Sequence, residues 1–149
     1  MLLDRARILI ATLWAGSLWT VGYLAAPTLF ATLFDRVLAG TIAGSLFGVE
    51  AWLSIGCAAA LAVLIAAPRE DRLARDKNIL LGIVIAMLVC TLLSHFCLQP
   101  AMAVLREAAG PSGVMASEAK RHFGILHGVS AAIYLIQSVL AGILVVRIR

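Results

Sequence analysis

Long apolar runs separated by short charged segments form the main pattern of this chain of 149 residues. A membrane-spanning helix needs about 20 mainly apolar residues, and four runs are long enough. They cover approximately residues 8–34, 39–67, 79–104 and 123–146. The pattern predicts four transmembrane helices, with a long external loop over residues 105–122 between the last two.

The composition and charge agree with this prediction. The chain is 62% hydrophobic and 13% charged, whereas a soluble domain is typically about 45–50% apolar and about 25% charged. We therefore expect one all-α domain over residues 1–149, an antiparallel four-helix bundle whose main partner is the lipid bilayer. The net charge of +4 lies in short loops, so it indicates membrane topology and no nucleic-acid partner.

The orientation of the bundle follows from the basic residues between the helices. Cytoplasmic connections of membrane proteins carry an excess of lysine and arginine. Both termini are therefore predicted to lie in the cytoplasm, together with the second connection. That side carries Arg5, Arg7, Arg69, Arg72, Arg75, Lys77, Arg147 and Arg149, and the opposite side carries only Arg36, Arg106, Lys120 and Arg121.

Small residues recur at four-residue spacing on two of the helices. Helix two contains Gly40, Gly44 and Gly48, and helix four contains Gly124 and Gly128. This spacing places the glycines on one face of each helix, where bare backbone lets helices approach closely in lipid. These faces predict helix packing, either within one bundle, which we favour, or between two subunits.

Two prolines lie in the outer parts of predicted helices. Pro27 is in the first helix and Pro100 is in the third. A proline removes one backbone hydrogen bond and clashes with the preceding turn. We therefore expect both helices to bend at these residues, with Pro27 contributing to helix packing.

Three ionisable side chains are predicted to lie in the outer half of the membrane. With a rise of about 1.5 Å per residue, Glu50 lies roughly 15 Å below the outer surface, near the midplane. His127 lies roughly 9 Å below that surface. His95 lies near the outer edge of a core about 30 Å thick, with Gln99 one turn beyond it.

The spacing of the polar residues predicts that these groups face one another. Residues three or four apart share a face of a helix, and polar groups in a membrane usually face the bundle interior. His127 is therefore expected to point inward, toward Glu50 and His95, beneath an outer rim that carries His122. The three polar stripes are His127, Ser130, Tyr134 and Gln137; Thr91, His95 and Gln99; and Glu50, Ser54 and Cys57.

Glu50 is the most informative of these residues. A lone carboxylate near the midplane costs several kcal/mol unless it is paired or protonated. A histidine on a neighbouring helix is the expected partner. Such a pair can form a functional site, or it can simply join two helices with a contribution of about 0.6–2 kcal/mol. Both interpretations stay open from the sequence.

Three stretches carry a family resemblance: GSLWTVGYLAAPTLF, AGTIAGSLFGVEAWL and RHFGILHGVSAAIYL. In these stretches the chain resembles the transmembrane protein 205-like family. The resemblance covers nearly the whole chain and implies a four-helix, multi-pass protein of the bacterial inner membrane with no established activity. The family often has Asn where this chain has Tyr134. The shared elements are Ala26, Pro27, Leu29 and Phe30 in helix one and His127, Gly128 and Ser130 in helix four.

Histidines on facing helices are common ligands of metal ions and haem. We therefore predict a metal or haem site in the outer half of the bundle. For haem b, His95 and His127 would be the axial ligands, and for copper or zinc Glu50 would join them. Gln99, Ser130 and Tyr134 would line the site. As an analogy of fold, the CopD-type copper-resistance proteins and the HemJ-type protoporphyrinogen oxidases bind copper or haem.

Two other functions stay open. A carrier or proton-coupled transporter would relay protons through Glu50 and His95, and a chain of four helices would then act as a homo-oligomer. A structural or assembly subunit would use its glycine faces to bind a membrane-protein partner. An enzyme is less expected, because the sequence contains neither a Ser-His-Asp pattern nor a glycine-rich phosphate loop.

Overall fold

A computed structural model describes residues 2–67, 74–110, 113–116 and 118–148. Every regular element in these ranges is helical. Four of the helices are long and apolar enough to cross a membrane. The predicted all-α four-helix architecture is therefore confirmed.

The four long helices are labelled α1 to α4 in chain order. α1 covers Leu2–Thr32, α2 covers Arg36–Ala66 and α4 covers Lys120–Arg147. α3 begins at Ala74 and ends at Ala109, in three consecutive segments.

Most helices extend past the predicted apolar runs. α1 begins at Leu2 rather than near residue 8, and α3 ends at Ala109 rather than near residue 104. A charged first or last turn is compatible with a helix, because long polar side chains can reach the membrane surface while the backbone stays hydrogen-bonded. Hydropathy therefore marks the part of a helix that lies in lipid and not its ends.

The predicted loop over residues 105–122 is largely helical at both ends. α3 continues to Ala109, and α4 begins at Lys120. The 3₁₀ turn Val114–Ala116 lies between them. Gly110 and Gly113 have φ angles of 62° and 77°, which glycine adopts without steric strain. These two glycines allow the chain to leave α3.

Each long helix packs against two neighbours. α1 packs against α2 and α4, and α3 also packs against α2 and α4. The connection between α1 and α2 is so short that these helices form an antiparallel hairpin. Asp35 caps α2, because its Oδ1 accepts hydrogen bonds from the backbone N–H groups of Val37 at 2.8 Å and Leu38 at 3.0 Å. This cap fixes where α2 begins.

The two halves of the bundle are packed differently. We define the inner half as the half that contains both chain termini, and the outer half as the half that contains the α1–α2 connection. A continuous hydrophobic cluster fills the inner half, with Trp14, Leu18, Leu61, Met87 and Leu144 fully buried. Close packing of this kind leaves no space for water or lipid, so the inner half is closed.

Two helices change their geometry in the outer half. Thr20–Ala25 in α1 and Leu93–Leu98 in α3 are π-helical. Each π segment directly precedes an α-helical segment whose first turn contains a proline, Pro27 or Pro100. A π segment widens the turn by about one residue, which relieves the clash between the proline ring and the preceding turn. The bend that the sequence predicts at each proline stays a prediction.

The outer half is more open than the inner half. The segments Thr20–Ala25, Ala26–Thr32 and Leu93–Leu98 contain no buried residue. The described part of α4 also contains none over residues 120–136. The residues of these segments are therefore at least partly exposed on the single chain.

Two basic side chains hold the inner end of α2. Arg7 of α1 is buried and donates through Nε and Nη2 to the carbonyl oxygen of Leu64, with Nε at 3.1 Å. Lys77 donates through Nζ to the carbonyl oxygen of Ala66 at 2.8 Å. Cations stabilise a helix C-terminus because its unpaired carbonyl groups carry partial negative charge. These contacts attach both α1 and α3 to the end of α2.

Candidate functional site

A chain of two hydrogen bonds ends at the carboxyl group of Glu50. Ser54, one turn further along α2, donates from Oγ to Glu50 Oε1 at 2.6 Å. Trp14 of α1 donates from Nε1 to the same Ser54 Oγ at 2.6 Å. Both Trp14 and Ser54 are fully buried, and Glu50 is 6% exposed. Glu50 therefore lies at the boundary between the closed inner half and the open outer half.

The carboxyl group of Glu50 has no basic partner in the described parts of the chain. Ser54 uses its one hydroxyl hydrogen on Oε1 and accepts the indole N–H of Trp14. No described residue donates a hydrogen bond to Oε2, and no described lysine, arginine or histidine forms an ion pair with this group. The charge of an ionised Glu50 would therefore lack a counter-ion.

Three aromatic rings pack together near Glu50, with Tyr134 close enough to interact with its charge, and we call them the aromatic wall. Phe47, nearly one turn before Glu50, contacts the Tyr134 ring of α4 edge to face with centroids 5.4 Å apart. Tyr23 of α1 contacts the same ring edge to face at 6.2 Å. The hydroxyl group of Tyr134 donates to the carbonyl oxygen of Leu18 at 2.6 Å. The aromatic wall therefore joins α1, α2 and α4 across the bundle.

A second polar contact joins α3 to α4 at a similar depth. Gln137 donates from Nε2 to Thr91 Oγ1 at 2.8 Å, and Thr91 donates to the carbonyl oxygen of Met87 at 3.2 Å. Gln137 and Thr91 are both buried. These neutral groups bond to each other, so their arrangement fits the role of joining two helices.

His95 contacts a different face of α2 from the one that carries Glu50. Its ring lies edge to face against Trp52 at 5.9 Å and against Phe96 at 4.8 Å. Trp52 is two residues after Glu50, which places it about 200° around the helix. The expected contact between His95 and Glu50 is therefore wrong. His95 Nδ1 is buried and has no hydrogen-bond partner in the described chain.

The π segment explains why the predicted stripe of α3 fails. The stripe Thr91, His95 and Gln99 assumes α-helical spacing, but His95 lies within Leu93–Leu98. A π segment has more than four residues per turn, so it turns the later residues away from the face that Thr91 occupies. Thr91 is buried, whereas His95 and Gln99 are half-buried.

His127 is exposed, so the expectation that it points into the bundle is wrong. Its ring stacks on Phe123 of the same helix, with centroids 6.1 Å apart and planes 6° from parallel. No neighbouring helix encloses this part of α4, where no described residue is buried. His122 is exposed, as expected for the outer rim, and Ser130 is half-buried.

The structure does not bring the predicted metal ligands together. Within the described residues, no group of three or more histidine, cysteine or acidic side chains could hold a metal ion. Glu50 is buried beside the aromatic wall, His95 contacts Trp52, and His127 is exposed. The three predicted ligands therefore do not form one site in the described part of this single chain.

The glycine faces are used only in part. A Cβ atom on Gly44 would lie 3.4 Å from Nη1 of Arg106, and that same Nη1 donates to the carbonyl oxygen of Gly40 at 3.1 Å. A Cβ atom on Gly48, Gly124 or Gly128 would meet nothing within 4 Å in the described chain. The favoured packing within one bundle therefore applies to Gly40 and Gly44, where α2 contacts the outer end of α3.

Sequence reasoning missed two residues of this site. Trp14 was not among the predicted site residues, although its indole N–H needs an acceptor when it is buried. Gly22 was not singled out either, although a Cβ atom there would overlap the Tyr134 ring. The Trp14 contact could have been predicted, because a buried indole N–H needs an acceptor and the Ser54 hydroxyl group lies at the same depth.

Comparison with known families supports a membrane protein without an assigned activity. The family described as Domain of unknown function (DUF4149) matches residues 9–111. The chain belongs to this family. The DUF4149 match includes the Glu50–Ser54–Trp14 hydrogen bonds and ends before α4. No curated protein and no solved structure matches the chain. The resemblance to the transmembrane protein 205-like family stays a prediction.

Substitution of Gly22 by Ala should destabilise this DUF4149 protein by about 1–3 kcal/mol. The added methyl group would overlap the Tyr134 ring, which is held by its hydrogen bond to Leu18 and by Phe47. Unfolding in detergent measures the effect. Gly16→Ala is the matched control, because a Cβ atom there meets nothing within 4 Å. Equal stability of the two variants would contradict the close approach of α1 and α4.

Substitution of Trp14 by Phe should lower the free energy of unfolding by about 1–3 kcal/mol, because Ser54 loses a buried donor and a small cavity forms. Trp19→Phe is the matched control. Its Nε1 donates at a long 3.4 Å and the side chain is 42% exposed, so its removal should change stability by less than about 1 kcal/mol. Denaturant unfolding in micelles measures the free energy of unfolding of both variants. Equal losses in the two variants would refute the role of Trp14.

Proposed function

We propose that this DUF4149 protein is a membrane carrier that exchanges a proton for a ligand at Glu50. The observation that supports this proposal most strongly is a carboxyl group that is only 6% exposed and has no basic partner among the described residues. An unpaired charge is costly at this depth in a membrane. The carboxyl group therefore holds a proton until something positive replaces it.

The packing of the two halves supports loading from the outer half. Glu50 lies where the open half meets the closed cluster around Trp14 and Leu61. A ligand that enters from outside would reach Glu50 and stop there. Release to the other side would require the inner half to open and the outer half to close. The π segments Thr20–Ala25 and Leu93–Leu98 are suitable hinges, because such segments are less regularly bonded and common at functional sites.

The proposal includes a homo-oligomer in the membrane. Four helices enclose little space for a complete pathway, so a second copy would supply further walls. Gly124 and Gly128 of α4 support this idea, because nothing in the described chain lies within 4 Å of a Cβ atom at either residue. Small residues of this kind let helices of two chains approach closely in lipid. The same face would suit an assembly partner if the oligomer does not form.

Haem or copper binding at His95 is the second candidate function. One observation favours it, namely that His95 Nδ1 is buried without a hydrogen-bond partner in the described chain. A free ring nitrogen is the group that binds haem iron or copper. Purified protein would then show a Soret band or stoichiometric copper that is lost in His95→Ala and retained in His127→Ala. Colourless, copper-free protein after reconstitution would remove this candidate.

Proton binding at Glu50 can be tested with a hydrophobic carbodiimide, which reacts with protonated carboxyl groups. At neutral pH, Glu50 should be labelled, because its ionisation would leave an unpaired charge in the membrane. The exposed carboxyl groups of Asp35, Glu107 and Glu118 should not be labelled at this pH. Peptide mass spectrometry measures all four sites in one sample, and labelling of Glu50 should fall as the pH rises.

The control for this experiment is Glu50→Gln, which keeps the shape of the side chain and cannot form the carbodiimide adduct. This variant should lose the label on the α2 peptide and leave the other peptides unchanged. If Glu50 stays unlabelled at every pH at which the exposed carboxyl groups react, it does not exchange protons. The proposed function would then be wrong, and the carboxyl group would serve only to join helices.

A further inference from the structure

We propose that the ligand exchanged at Glu50 is a monovalent organic cation with an apolar body, such as a quaternary ammonium compound. This inference rests on the proposed function and names its substrate class. It follows from three features of the described residues: the charge of the site, the groups that form its walls, and the side from which it can be reached.

The charge of the site favours a single positive charge. An ionised Glu50 carries one negative charge, its Oε2 accepts no hydrogen bond from a described residue, and no described basic side chain neutralises it. A ligand with one positive charge would restore neutrality at this depth in the membrane. An anion would be repelled by the carboxylate, and a neutral ligand would leave its charge unpaired.

The walls of the site favour an organic cation over a metal ion. Tyr134 lies close enough to Glu50 to interact with its charge, and the Phe47 and Tyr23 rings pack against Tyr134. None of the three rings is fully buried. Aromatic faces attract weakly hydrated cations. A calcium or magnesium ion instead needs about six oxygen ligands, and no described group of three or more potential metal ligands exists.

The access route favours an apolar body. No residue is buried in the outer part of α1, in the π segment Leu93–Leu98 of α3, or in residues 120–136 of α4. These parts present large exposed hydrophobic side chains such as Leu24, Val129 and Leu135. A cation that carries apolar groups can cross such a surface, whereas a strongly hydrated ion cannot.

Among the described residues, Glu50 is the only side chain of this site that can carry a negative charge at neutral pH. The other ionisable side chains near it are Cys57 of α2 and Tyr134 of α4, and Tyr23 of α1 contacts Tyr134. Thiols and phenols are ordinarily neutral at this pH. On α3, His95 is directed to Trp52. Proton and cation therefore compete for one carboxyl group, and cation binding weakens as the pH falls.

Benzyltrimethylammonium is a suitable probe, because its charge does not change with pH. Equilibrium dialysis against the full chain in detergent should show saturable binding that weakens on acidification. Glu50→Gln should weaken binding at least about tenfold, and Phe47→Leu should weaken it about threefold or more. Phe96→Leu is the matched control, because this ring contacts Trp52 and His95 and not the aromatic wall. That variant should bind like the wild type.

The neutral carbon isostere of the probe, neopentylbenzene, provides the second control. It has the same shape without the charge, so its binding should not depend on Glu50. In the wild-type protein, benzyltrimethylammonium should also slow carbodiimide labelling of Glu50, and this measurement needs no folded variant. Equal protection by the neutral isostere, or equal affinity of the wild type and Glu50→Gln for the cation, would overturn the inference.

The labelling experiment separates failure of this inference from failure of the proposed function. If Glu50 is labelled in a pH-dependent manner but the cation neither binds nor protects, the substrate class is wrong and proton exchange stands. If Glu50 is not labelled at any pH and the cation does not bind, both proposals are wrong.

Discussion

The rest of the structure depends on one constraint, the burial in a membrane-length helix of an acidic side chain that has no basic partner among the described residues. Glu50 receives a single hydrogen bond from Ser54, and Ser54 is held in turn by the indole group of Trp14. These bonds orient the carboxyl group but do not neutralise it. A protonated carboxyl group is compatible with this arrangement, whereas an ionised one calls for a positive ligand. This difference is what makes the site suitable for exchange.

The two halves of the bundle have different roles around this constraint. The inner half stabilises the fold through its hydrophobic cluster and through the basic side chains of Arg7 and Lys77 at the end of α2. The outer half is packed less closely, and the π segments of α1 and α3 contain no buried residue. Closed packing on one side and open packing on the other give the site a direction, which a purely structural contact between helices would not need.

The fold could be predicted from the sequence, whereas the site could be predicted only in part. Apolar runs report burial in lipid and therefore identify four helices. Glu50 could be identified because a carboxyl group in such a run is rare. The partners of Glu50 could not be identified, because the directions of the side chains were inferred from α-helical spacing. The π segment Leu93–Leu98 instead turns His95 toward Trp52. The position of His127 was predicted wrongly, because α4 is not enclosed by other helices at that depth. The periodicity of the sequence carries no information about such enclosure.

The central claim, that Glu50 is protonated at neutral pH when no ligand is bound, can be tested most directly by infrared spectroscopy. The difference spectrum between the wild type and Glu50→Gln should contain one C=O stretching band of a protonated carboxylic acid. That band should disappear from the wild-type spectrum when benzyltrimethylammonium is added. A carboxylate band at neutral pH in the ligand-free protein would contradict the account, because Glu50 would then be ionised and paired with a group that the described residues do not contain.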